Sequence, residues 1–125
     1  MTARILIIDD DVILAGLLQL TLELEGFEVD TAADGDEGLA LVRQKPFDLI
    51  LLDLVMPRMD GIKFLRLLNE GDAKRPPVMI VSSATGTELT EQHRAMGVVD
   101  IARKPVEPAM LVERARAALA TGAAV

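Results

Sequence analysis

Asp9, Asp10, Asp53, Ser82 and Lys104 each stand at the end of a short apolar run, and their types together suit the chemistry of a phosphoryl group. Three carboxylates at neighbouring positions repel one another unless a proton or a cation offsets the charge. A hard divalent cation does so, and Mg2+ fits best. It binds through one or two carboxylates, keeps several waters, and leaves its open positions to phosphate oxygens. Ser82 offers a hydroxyl donor and Lys104 a compact positive charge for those same oxygens. Ser83 is the alternative hydroxyl, but Ser82 directly follows its apolar run, as Asp53 follows its own, and is preferred. Read singly, Asp11, Asp34 and Asp60 fit better as helix caps or solvated acids than as part of this group.

These residues need a scaffold that brings their strand ends together. Leu49-Ile50-Leu51-Leu52 is apolar on both faces and ends in Asp53, followed by the loop Met56-Pro57 to Gly61. Such a run reads as a central strand of a parallel sheet, whose carboxyl edge is where open α/β sheets hold ligands. Arg4 to Ile8 repeats the pattern and ends in Asp9-Asp10-Asp11, and Val78 to Val81 repeats it before Ser82. Phe27 to Ala32 alternates apolar and polar residues, as expected of an edge strand. Val98 to Ala102 is the last short strand, and Lys104-Pro105 leaves it.

Between the strands lie five predicted helices. The first covers Val12 to Glu25, with Asp11 as its N-cap and Gly26 closing it. Its stripe Ile13, Leu17, Leu20 and Leu24, widened by Leu14, Leu18 and Leu22, is expected to pack on the sheet and a neighbouring helix, with a partner-docking face as the alternative. The second runs from the Asp34 cap to about Lys45 with Leu39 and Val42 inward. The third covers Ile62 to Glu70 with Ile62, Leu65 and Leu68 inward, and Gly71 ends it. The fourth, Thr87 to Met96, has little apolar surface and is expected to be held weakly, with His93 a solvated residue. The fifth runs from Pro108 to about Ala120 with Leu111, Ala115 and Leu119 inward, leaving 121–125 as a mobile tail.

The order βαβαβαβαβα predicts an α/β fold: a flavodoxin-like, doubly wound, five-stranded parallel sheet of order 2-1-3-4-5, with five helices on both faces. Its switch point lies between the strands that end in Asp10 and Asp53. One domain spanning 1–125 accounts for the 125 residues. The net charge of -7 and an aromatic content of 2%, with scattered Lys and Arg, argue against direct nucleic-acid binding. The chain has no cysteine, no apolar stretch of membrane-spanning length and no signal-peptide pattern, so a soluble cytoplasmic protein is expected.

The Asp9-Asp10 pair, Asp53 with Met56-Pro57 and Asp60-Gly61, Ser82 before a small residue, and Lys104-Pro105 resemble the receiver domain of bacterial two-component response regulators, of the single-domain chemotaxis type. The match runs over essentially the whole chain. This resemblance implies a phosphorelay component that takes a phosphoryl group on Asp53 from a sensor histidine kinase or a histidine phosphotransfer protein, and so switches a surface for an unknown downstream protein. It implies Mg2+ held by Asp10, Asp53 and the backbone carbonyl of Val55, with Asp9 bound directly or through water. Ser82 and Lys104 would hold the phosphoryl oxygens. Such a domain is not a conventional enzyme, though it catalyses its own phosphorylation and dephosphorylation.

Val55 and Ala84 fall where the family flanks the phosphoryl group, and neither can orient water, so slow dephosphorylation is expected. The chain departs from the family at Ile101, where an aromatic switch residue is usual, and at Val106, where Phe is common. Readout is therefore expected to lean on the fourth or the first helix. An aspartyl phosphatase of the haloacid-dehalogenase type is disfavoured by Val55 in place of a second acid and by the lack of room for a cap. A flavin or nucleotide carrier is disfavoured by three aspartates where phosphate would sit. A degenerate receiver acting only as an interaction module is disfavoured by the intact acidic group.

Overall fold

A computed structural model of the chain describes residues 2–54, 61–70, 75–83 and 88–123, with side chains through Ala120. Val55, Met56-Pro57, Asp60, Gly71, Ala84 and Thr87 lie outside the described residues, as do Ala124 and Val125.

The elements follow one another as β1 (Arg4–Ile8), α1 (Val12–Leu24), β2 (Glu28–Ala32), α2 (Gly35–Gln44), β3 (Leu49–Leu52), α3 (Gly61–Glu70), β4 (Val78–Ser82), α4 (Glu91–Ala95), β5 (Val98–Arg103) and α5 (Pro108–Ala123). All strand pairs are parallel and the sheet order is β2-β1-β3-β4-β5, as the alternation predicts. Because successive strand residues point to opposite faces, the sheet feeds two cores. Ile5, Ile7, Leu49, Leu51, Met79 and Val81 pack against α1 and α5. Leu6, Ile8, Ile50, Leu52, Val78 and Ile80 pack against α2 and α3.

Local signals fix most of the helix ends. The Asp11 carboxylate accepts from the Leu14 amide at 3.0 Å and the Asp34 carboxylate from the Glu37 amide at 2.9 Å, each satisfying an orphan amide of a first turn. Gly26 follows α1 with φ of 94°, a conformation glycine adopts without strain. α4 is shorter than predicted, with five residues and no buried one. Its N-cap is Thr90, whose hydroxyl accepts from the His93 amide while the His93 ring accepts from the Thr90 amide. The Asn69 amide on α3 reaches the Met96 carbonyl at 3.0 Å and ties the end of α4 to the body. α5 runs three residues past its predicted end.

Two inward faces differ from expectation. The α1 stripe of Ile13, Leu17, Leu20 and Leu24 faces solvent, and the helix packs instead through Ala15, Leu18 and Leu22. Both arcs are apolar, so periodicity could not choose between them. On α3, Ile62 is turned outward and Phe64 is fully buried beside Leu65 and Leu68.

Gly61 and Gly38 are both close-approach glycines, with different neighbours. A Cβ at Gly61 would lie 2.7 Å from the Leu54 Cα and 3.0 Å from the Asp53 carbonyl oxygen, backbone atoms that cannot yield cheaply. A Cβ at Gly38 would lie 2.6 Å from the Ile8 Cδ1, the far end of a flexible side chain. Gly61→Ala is therefore expected to cost about 2 kcal/mol in urea unfolding. Gly38→Ala should stay within about 1 kcal/mol of wild type, since helix propensity offsets the side-chain shift.

Candidate phosphoacceptor and metal site

The carboxyl edge of the sheet gathers residues far apart in sequence. β1 hands over to Asp9, whose amide donates to the Ala32 carbonyl at 3.0 Å, and β3 hands over to Asp53, whose amide donates to the Ile8 carbonyl at 3.0 Å. These two bonds extend the sheet by one residue and anchor both carboxylates on rigid strand ends. Asp9, Asp53 and Ser82 are the buried polar residues of the described chain. Asp10 is exposed at the rim. One carboxylate oxygen from each of Asp9, Asp10 and Asp53 lies within 4.8 Å of the others.

Lys104 reaches this group from the end of β5. Its amide donates to the Ser82 carbonyl at 3.0 Å, which fixes the backbone from which the side chain extends. Its Nζ donates to Asp9 Oδ2 at 2.8 Å and lies 3.5 Å from Asp53 Oδ2. Burial pulls the ammonium's pKa down, but the hydrogen bond from Lys104 to Asp9 and the charges of Asp9 and Asp53 outweigh it, and the pKa is raised. Lys104 is thus a charged donor throughout the neutral range. Asp9 has a second partner, the Asp11 amide at 2.9 Å from Oδ1. Ser82 closes β4 and is buried, whereas Ser83 is exposed.

A family model described as the response regulator receiver domain matches residues 5–116. The chain belongs to the response regulator receiver domain family. Members of this receiver family take up a phosphoryl group on an aspartate in two-component signalling and are not conventional enzymes. The chain is 38% identical over 119 residues to the DNA-binding response regulator MtrA of Mycolicibacterium paratuberculosis, covering 95% of this chain and 52% of that protein. It is 38% identical over 117 residues to the response regulator PleD of Caulobacter vibrioides, covering 93% of this chain and 26% of that one. This receiver therefore spans about half or less of the length of these relatives. Among solved structures, the chemotaxis protein CheY4 of Vibrio cholerae superposes with a TM-score of 0.85 at 30% identity, over 94% of this chain and 99% of that one.

The donor set fits a hard cation. Three carboxylates and no nitrogen or sulfur ligand are what Mg2+ selects, and Asp10 at the rim leaves a side open to water. Of the residues read from the sequence, Asp9, Asp10, Asp53 and Lys104 come together, and Ser82 is tied to Lys104 through the backbone. Val55, whose carbonyl the resemblance adds to the metal ligands, lies outside the described residues. The hydrogen bond that commits Lys104 to Asp9 was not evident from sequence, because it depends on the side chain's direction across the edge.

With one ammonium among three carboxylates, the described residues carry surplus negative charge at this edge. Without divalent cation, Asp10→Asn is expected to stabilise the fold by about 1 kcal/mol, or ~4 °C in thermal denaturation. Lys104→Met should lower the midpoint. Millimolar Mg2+ should narrow both differences, since it stabilises a folded state that binds it and does so most where the site is most negative: Lys104→Met above wild type, and wild type above Asp10→Asn.

Proposed function

We propose that Asp53 is the phosphoacceptor of this receiver, that Ser82 and Lys104 receive the phosphoryl oxygens, and that Asp9, Asp10, Asp53 and the Val55 carbonyl hold Mg2+. The observation that carries this reading is a buried Asp53 carboxylate on a strand end, 3.5 Å from the Lys104 ammonium and within 4.8 Å of two further acids. The donor is a phosphohistidine of a sensor kinase or of a phosphotransfer protein. A carboxylate oxygen of Asp53 attacks phosphorus, the P–N bond breaks, and the imidazole nitrogen keeps the electron pair and takes a proton from solvent. An acyl phosphate remains on Asp53. Bound Mg2+ supplies charge neutralisation to the phosphoryl oxygens during transfer.

The chain's own part is positioning. β3 holds the nucleophile rigid and Lys104 is already charged beside it, so little reorganisation accompanies the reaction. As phosphoryl oxygens arrive, Lys104 has a stronger acceptor than Asp9 to turn to. Hydrolysis returns the carboxylate and releases inorganic phosphate. The resemblance gives Val55 and Ala84 as the sequence positions beside the group, and neither side chain can orient water, so we infer that hydrolysis is slow. The downstream readout is a protein contact. Ile101 is half-buried against the α2–α3 core, and its carbonyl accepts from Arg114 at 2.9 Å, so the β5–α5 surface is already tied down around an aliphatic residue. A cytoplasmic site of action is consistent with the cysteine-free sequence and with the absence, among the described residues, of a helix long and apolar enough to cross a membrane.

Intact-mass measurement after incubation with Mg2+ and acetyl phosphate tests the assignment. Wild type should gain one phosphoryl group, while Asp53→Asn and a chelator-treated sample should gain none. Lys104→Met should slow uptake by at least about 100-fold. Uptake by Asp53→Asn at the wild-type rate would move the acceptor elsewhere.

A further inference from the structure

Both oxygens of the buried Asp9 carboxylate are engaged, each from a different direction. Oδ2 accepts from Lys104 Nζ at 2.8 Å, and Oδ1 accepts from the Asp11 amide at 2.9 Å. Asp11 itself is bound into the start of α1. Its carboxylate accepts from the Leu14 amide at 3.0 Å and its carbonyl from the Ala15 amide at 2.9 Å. One residue therefore joins the first turn of a helix to an acid of the site. The first turn has little else to hold it. Val12 and Ile13 are exposed, and the turn carries no acidic side chain of its own, so the Asp11 carboxylate is what meets its orphan amides and the positive end of its dipole.

We propose that Asp11 is a positioning residue for Asp9: by capping α1 it fixes the backbone amide that orients the Asp9 carboxylate toward the cation. The inference rests on the reading of this edge as the Mg2+ and phosphoacceptor site. An outer-shell donor of this kind decides which lone pairs of a carboxylate are left to face a metal. The contact matters most once transfer begins. Lys104 then turns to the phosphoryl oxygens, and the Asp11 amide is the remaining partner of that carboxylate among the described residues. Without the cap the helix start frays, the amide at position 11 moves with it, and Asp9 is free to rotate about its last side-chain bond.

A direct effect of charge leads to a different expectation. Asp11 is exposed, and its carboxylate is not among the Asp9, Asp10 and Asp53 oxygens that lie within 4.8 Å of one another. If its charge attracted Mg2+, every neutral replacement would weaken binding alike. If its cap positions Asp9, neutral residues that cap a helix preserve binding. Asn and Ser are such residues and Ala is not, while Gly tolerates the helix start without supplying an acceptor.

Isothermal titration of the full chain with Mg2+ tests the proposal. Asp11→Ala is expected to raise the dissociation constant about tenfold, the effect of losing an outer-shell partner. Asp11→Asn and Asp11→Ser should stay within about threefold of wild type at a salt concentration that screens an exposed charge. Hydrogen exchange in the metal-free protein gives a second readout: the amide at position 11 should lose protection in Asp11→Ala and keep it in Asp11→Asn. If Asp11→Ala does not fold, Asp11→Gly, which destabilises a helix start less, should show the same loss of affinity. Mg2+ binding by the non-capping variant as tight as that of wild type overturns the proposal. So does equal weakening in Asp11→Ala, Asp11→Asn and Asp11→Ser, which assigns the effect to charge. A wild type that binds Mg2+ but gains no phosphoryl group from acetyl phosphate overturns the assignment of Asp53 alone, and one that binds no Mg2+ overturns both.

Discussion

One ammonium shared between two buried strand ends is the interaction on which the site depends. Lys104 Nζ bonds Asp9 and stands near Asp53, which brings a charge from β5 across to the carboxyl ends of β1 and β3. Removing it would leave two buried carboxylates facing each other in a medium where like charges interact strongly. The sheet order makes the arrangement possible. β1 and β3 are adjacent at the switch point, β4 sits next to β3, and β5 lies beyond β4, so a long side chain at the end of β5 is what spans the gap. A shorter residue there could not reach Asp9.

The same constraint explains why the surroundings are so rigid. Asp9 and Asp53 are held by backbone bonds to neighbouring strands rather than by loops, and Gly61 lets the first turn of α3 press against the Asp53–Leu54 backbone. A strand buried on both faces, as β3 is, holds the carboxylate that follows it in a well-defined position. The acidic edge is costly to the apo fold. Its three carboxylates are a donor set that a hard cation fits.

Much of this was legible in the sequence because it is written in local signals. Two-sided apolar runs ending in acids located β1 and β3, Asp11 and Asp34 announced two helix starts, and the alternation of elements fixed the sheet order. Phase was less legible. α1 is apolar on both arcs, so its hydrophobic pattern has no single direction, and only the tertiary packing shows that Ala15, Leu18 and Leu22 are the buried ones. On α3, Phe64 rather than Ile62 enters the core, a choice between two apolar residues that packing against the sheet makes. The Thr90–His93 cap is a similar case, since histidine is an uncommon third member of a capping box.

The two faces of the molecule also divide the work of switching. The α2–α3 side is sealed by Phe64, Leu65 and Leu68 and has little freedom to rearrange. On the α4–β5–α5 side, α4 buries no residue, Ile101 is half-buried, and Arg114 grips Asp100 through two nitrogens while also holding the Ile101 carbonyl. A change in the position of Lys104 is transmitted first to β5, because the two are contiguous in chain. Arg114 restrains β5 at Asp100 and Ile101, so α4, which buries no residue, is the element free to yield. Where an aromatic ring would report the change by swinging inward, an isoleucine can only shift its packing. The structural signal on this side should therefore be a change in the order of α4 rather than a discrete rotamer flip of a large side chain.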